Sequence, residues 1–145
     1  MSDAVESRLF ACLASERWAT TMAAAIFQAA DLAMDALTDD EWLAAMKAHP
    51  RIGERGGDAP VSSEREQSRA MASSAETRAA LAAENRRYED RFGHVFLIFA
   101  SGRSGDEILA ELRRRMNNDP KAELEEAKRE LRKIAKLRLE RMLAS

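Results

Sequence analysis

"SSAETRAALAAENRRYEDRFGHVFLIFASGRSGDEILAELRRRMNND", residues 73–119, decides the fold. It holds two helical textures around one short apolar break. Ser73 and Glu76 have the spacing of a capping box, and the long stretch they open reads as helix up to Gly93, a fitting C-terminal cap. "HVFLIFASGRSG" then loses the helical period. It is short, apolar and flanked by glycine, so strand, buried turn and short helix are all open. Ser104 and Glu107 repeat the box and open "DEILAELRRRMNN" as helix.

The same signals continue outward. Upstream, Ser2 starts a short helix ending near Ala14. Ser15 caps a second through "ERWATTMAAAIFQAADLAMDAL", with Trp18, Met22, Ile26 and Ala29 as its apolar stripe. Thr38 and Glu41 make a capping box for a third, which places Trp42, Met46 and His49 on one face. Pro50 stops it, because the residue before a proline avoids the α region. Ser63 and Glu66 fit a further box. Downstream, Asp119 with Pro120 marks the start of a last helix running almost to Ser145.

Composition agrees. Of 145 residues, 46% are hydrophobic and 33% charged, an ordinary globular mixture. Ala, Leu, Glu and Arg are abundant and β-branched residues sparse, which favours helix over sheet. The expectation is an all-α, single-domain, multi-helix bundle over residues 1–145 with a long C-terminal helix. The net charge of −2, with acids and bases interleaved, gives no basis for a nucleic-acid partner. The longest apolar run, Val95 to Ala100, is too short to span a bilayer. The single Cys12 suits a reducing compartment, and no secretory signal is visible. A cytoplasmic location is expected, with no membrane partner.

Two residues break the pattern. Leu124, Ala127, Leu131, Ile134 and Met142 form one stripe on the last helix, and Arg138 falls near its middle. A guanidinium there snorkels or pairs with a buried carboxylate to fix helix packing, or it anchors a ligand. His49 either covers the end of its helix or moves protons; the helix dipole favours its protonated form. His94 reads as a satisfied turn histidine, and Glu66 is already explained as a cap. Two histidines with no Cys or carboxylate at ligand spacing make no metal case. "RIGERGGD" lacks the lysine and hydroxyl of a nucleotide loop. "KAELEEAKRELRKIAKLRLE" reads as a solvated face of i,i+4 pairs.

Five motifs in one order, "HPRIG" (49–53), "SEREQ" (63–67), "RFGHVFLIFASG" (91–102), "EILAELRRRMNND" (107–119) and "IAKLRLERML" (134–143), resemble the OHCU (2-oxo-4-hydroxy-4-carboxy-5-ureidoimidazoline) decarboxylases of urate breakdown. The resemblance covers essentially the whole chain. It implies an all-helical, cofactor-free, usually homodimeric enzyme that converts OHCU to (S)-allantoin with loss of carbon dioxide. Carried over residue by residue, it makes His49, Glu66 and Arg138 catalytic, with His49 as proton donor. It places Pro50, Ser63 and Gln67 at the substrate, together with the backbone of Ile98, Phe99, Ala100, Ser101 and Gly102. This chain departs from the family's "FGFPF" with "FGHVF". Two other readings stand beside it: a non-catalytic helical interaction or dimerisation module, and a decarboxylase of a related ureido acid.

Overall fold

The computed structural model describes residues 3–52, 68 and 72–145. Among them are six helices and no strand: α1 (Asp3–Leu13), α2 (Glu16–Asp35), α3 (Asp39–Lys47), α4 (Ala75–Phe92), α5 (Gly105–Arg115) and α6 (Pro120–Ala144). The all-α expectation holds, including the long last helix.

Local chemistry sets most of these ends. The Ser15 hydroxyl accepts the Trp18 N–H, and the Ser104 hydroxyl accepts the Glu107 N–H while donating to the Glu107 carboxylate. The Asp119 carboxylate accepts the Ala122 N–H at 2.9 Å, with Pro120 as the first helical residue. Gly93 ends α4 in the left-handed conformation, its N–H on the Glu89 carbonyl. One expected cap moves. Ser74, not Ser73, receives the Thr77 N–H, because with adjacent serines only the one immediately before the first turn reaches that amide.

Two compact units are present, and α6 contributes to both. One comprises Met1–Thr38 and Arg132–Ser145. Here α1 packs on α2, with Val5, Ala19 and Ala23 buried. The expected stripe of α2 is rotated by one residue. Trp18, Met22 and Ile26 are half-buried and Ala29 is exposed, because small Ala19 and Ala23 occupy the closest approach. Asp31 and Asp35 of α2 pair with Lys136 and Arg132 of α6.

The other unit comprises Asp39–Leu131. Its core joins Ile52, Leu81 and Tyr88 to Phe96, Ile98 and Ala100, and to Ile108, Leu109 and Leu112. The first turns of α4 and α5 nearly touch. A Cβ on Gly105 would collide with the Ser73 side chain, and Thr77 donates to Asp106 at 2.8 Å. Residues 95–100, the apolar break, form neither helix nor strand; they run without turn or bend through this core.

Ala14, between α1 and α2, has φ +57°, a conformation that strains a side chain. Ala14→Gly is expected to stabilise the protein by about 1 kcal/mol, read as a rightward shift of the urea unfolding midpoint at unchanged slope.

Candidate active site

The His49 corner is built by the end of α3. The Ala48 and His49 amides donate to the Ala45 and Met46 carbonyls, tightening the last turn, and Pro50 prevents a further one. Trp42 and Met46 are buried, but α3 ends at Lys47, so the expected helical face stops short of His49, which with Pro50 is half-buried beyond the last turn. The next two residues fasten the corner to α4. Arg51 makes a two-pronged pair with Glu89, at 2.5 and 3.1 Å, and the buried Ile52 offers its carbonyl to Asn85 Nδ2 at 3.3 Å. Asn85 is 3% exposed, and its Oδ1 meets no donor among the described residues.

A cavity of about 360 Å³ opens beside this corner, lined by Met46, Lys47, the Arg51–Glu89 pair, His94 and Val95, among others. His94 does what the sequence reading gave it to do. Its ring stands edge-on to Tyr88 and stacks with Phe92, and Nδ1 lies 3.3 Å from the Val95 carbonyl. At the position where "FGHVF" departs from the family pattern, an aromatic ring is therefore retained.

Beyond His94 the chain enters the buried segment, and the expected backbone site lies along it. Ile98 and Ala100 are buried, Phe99 and Ser101 half-buried, Gly102 exposed. The Ala100 carbonyl accepts the Arg103 N–H at 2.9 Å, and Gly102 at φ +78° closes that turn. Upstream, two charged side chains hold the backbone. Arg115 Nη1 donates to the Leu97 carbonyl at 2.7 Å, and the Phe99 N–H donates to Glu130 Oε1 at 3.3 Å.

Arg115 is itself 1% exposed, and its counter-charge Glu123 is 0% exposed. Arg115 Nε donates to Glu123 Oε1 at 2.8 Å, Nη2 stands 2.5 Å from the same oxygen, and the guanidinium lies 4.5 Å over the Phe96 ring. The Tyr88 hydroxyl also donates to Glu123, and Asn118 Nδ2 donates to its second oxygen at 3.0 Å. Burial, and then the bond to Glu123, push the Tyr88 hydroxyl far above the ordinary phenol range, so it remains a neutral donor. Asn118 continues outward to Glu126, which pairs with Arg114.

Sequence reading missed Arg115, Glu123 and Glu130. Glu123 and Glu130 correct the reading of 121–140 as a solvated face: both are buried on the side of α6 shared with Ala127 and Leu131. The signal was present, since Arg115 follows Ile108 and Leu112 at i+7 and i+3. Arg138 is half-buried on α6, in the other unit from His49. Its stripe is shorter than expected: Ala127, Leu131 and Ile134 are buried, but Met142 is 65% exposed, because the helix is nearly at its end there. Ser63, Glu66 and Gln67 lie outside the described residues. Among those described, no group of three or more His, Cys, Asp or Glu is arranged to hold a metal ion.

Among the described residues the chain is helical apart from its turns and the buried 95–100 segment, and the start of that segment shares a cavity with the residues flanking the histidine-proline corner. The OHCU decarboxylase family profile matches residues 2–140, and the chain belongs to that family. It is 38% identical over 126 residues to the uric acid degradation bifunctional protein TTL of Arabidopsis thaliana, covering 83% of this chain and 39% of that one. It is 33% identical over 117 residues to the 2-oxo-4-hydroxy-4-carboxy-5-ureidoimidazoline decarboxylase of Mus musculus, covering 77% and 66%. The chain thus matches less than two thirds of either relative's length. A crystal structure of OHCU decarboxylase in the presence of (S)-allantoin aligns over 94% of this chain and 96% of that one, with TM-score 0.74 and 34% identity.

Two outcomes are expected from the buried pair and its rim. Glu123→Gln leaves the Arg115 charge uncompensated and is expected to cost about 3–5 kcal/mol by denaturant unfolding, against about 1–2 kcal/mol for Tyr88→Phe. Partial burial raises the Glu126 carboxyl, but hydrogen bonds from Arg114 and Asn118 hold it net below its ordinary 4.5. Its contribution is therefore complete above pH 4.5 and fades as pH falls below that value. Glu126→Gln is expected to flatten the stability–pH curve in that acid range and leave its slope at neutral pH unchanged.

Proposed function

We propose that this chain decarboxylates OHCU to (S)-allantoin without a cofactor. The observation that carries the reading is the His49–Pro50 corner, half-buried and fastened to α4 by the two residues that follow it. The family membership and the likeness to a structure determined in the presence of (S)-allantoin support it.

The chemistry asks for few groups. The carboxylate of OHCU sits next to a carbonyl- or imine-like centre, so when carbon dioxide leaves, the electron pair stays on the ring as an enolate-like species. The protein has to turn the carboxylate out of the conjugated plane, stabilise the developing oxyanion and deliver one proton to one face. His49 at a helix C-terminus suits proton delivery near neutral pH. Glu66 and Gln67 supply polar groups for the ureido and ring N–H groups. Arg138 supplies a fork for an oxygen anion, and Pro50, Ser63 and the 98–102 backbone border the substrate. Arg138 contacts the ring oxygen where charge accumulates as well as the carboxylate, since holding the carboxylate alone stabilises the ground state.

We infer further that the protein acts in the cytoplasm as a homodimer. In support, no helix among the described residues is long and apolar enough to cross a membrane, and Cys12 is an exposed free thiol. Phe10, Leu13, Leu32 and Met142 are large, exposed and apolar, and all belong to the unit of α1 and α2. The same residues favour the second reading, a helical interaction module without activity. Freshly generated OHCU separates the two. The enzyme speeds the loss of its ultraviolet signal and leaves allantoin of one hand by circular dichroism, whereas a module does neither. His49→Gln is expected to lower kcat by about 100-fold or more with little change in substrate affinity, and Arg138→Gln to impair both. A His49→Gln protein with near-normal kcat rules out the proton-transfer role.

A further inference from the structure

Two buried side chains hold the backbone of the buried segment at residues two apart. The groups held are the Leu97 carbonyl, by Arg115 at 2.7 Å, and the Phe99 amide, by Glu130 at 3.3 Å. Both holders are buried, at 1% and 7% exposed. The N–H and C=O of Ile98, between those two points, and the N–H of Ala100, just past them, belong to the stretch so held.

This Ile98 edge of the segment offers N–H donors and a C=O acceptor close together in sequence. A planar cyclic ureide carries N–H and C=O side by side on its ring and can pair with them. A slip of one residue in the segment would offer the ring the groups of Leu97 and Phe99 instead, with a different spacing to the Gly102 turn.

We propose that Glu130 and Arg115 are positioning residues: by occupying the Phe99 amide and the Leu97 carbonyl, they fix the register of the segment, and with it which backbone groups face the substrate ring, and so set its affinity. The proposal rests on the reading that the 98–102 backbone meets OHCU. Glu130 acts through the Phe99 amide and touches no reacting atom.

The test compares Glu130→Leu with Glu130→Gln in the full-length protein. Gln keeps a carbonyl oxygen that accepts the Phe99 N–H; Leu fills the space and accepts nothing. Should Glu130→Leu prevent folding, Glu130→Ser, too short to reach Phe99, takes its place. The expected result is a KM for OHCU raised about tenfold in Glu130→Leu, the worth of one hydrogen bond to a charged group, with kcat within about twofold of the unaltered protein. In Glu130→Gln the expected KM is within about twofold. The Phe99 amide is expected to exchange faster with deuterium in the Leu variant and not in the Gln variant. A merely structural role gives another pattern: fewer active molecules, hence lower apparent kcat at unchanged KM. That pattern, or an equal KM defect in the Gln variant, overturns the proposal. Absence of OHCU turnover in the unaltered protein overturns the activity reading and the role of the Ile98 edge with it. Turnover in the unaltered protein with normal KM in the Leu variant overturns the positioning role alone.

Discussion

A polypeptide segment buried outside any helix or sheet has to find partners for its amides and carbonyls, each of which costs about 1–3 kcal/mol if left unmet in the core. Residues 95–100 are in that position, and buried charge answers the need. Arg115 takes the Leu97 carbonyl and Glu130 the Phe99 amide. A buried guanidinium needs compensation in turn. Glu123 supplies it, and Tyr88 and Asn118 supply the further donors that Glu123 needs. An apolar core alone could cover this segment but could not satisfy it, so the helices around it carry ions on their inner faces.

This explains why the segment is not simply helical. A helix meets its own backbone needs and has no N–H or C=O to offer sideways except at its ends. A chain held open by side chains keeps one edge for other uses. The charged network is thus what makes backbone recognition of a ligand physically available in an all-helical protein. It also explains the aromatic ring at His94. The segment leaves α4 through Gly93, and Tyr88, Phe92 and His94 pack that exit so that residue 95 enters the core at a set angle.

Helix starts were legible in the sequence because capping is local. Ser15, Ser104 and Asp119–Pro120 act within three residues of themselves, and Gly93 within four. At Ser73 the box spacing to Glu76 pointed one residue too early, and the adjacent Ser74 takes the cap. The buried ions were less legible. Glu123 and Glu130 sit in a run rich in lysine and arginine that reads as a solvated face, although neither has an oppositely charged residue four positions away. Only the partners on other elements, Tyr88 and Arg115 for Glu123 and the Phe99 amide for Glu130, show that these two face inward. Arg138 stood out because its apolar neighbours were extrapolated to Met142. With Met142 exposed, the stripe closes at Ile134, and Arg138 stands just beyond it. The stop of α3 was legible from Pro50, though the helix ends at Lys47, two residues before His49; the corner's anchors, Arg51 on Glu89 and Ile52 on Asn85, join residues 38 and 33 apart. No local pattern encodes them.

On the decarboxylase reading, the two kinds of recognition divide the work in a way the chemistry favours. A cation that held the departing carboxylate alone would lower the energy of the starting state more than that of the transition state, since negative charge leaves that group as the bond breaks. Neutral backbone donors on the ring do the reverse. They gain as charge flows from the carboxylate onto ring oxygen and nitrogen, and in a segment held at Leu97 and Phe99 they need no reorganisation when it does. A histidine at the end of a helix then has one task, to deliver a proton to one face of the ring. The reaction needs a rigid backbone edge and one proton donor more than it needs a strong grip on the carboxylate, and the buried ions on α5 and α6 are the means by which a bundle of helices keeps such an edge in place.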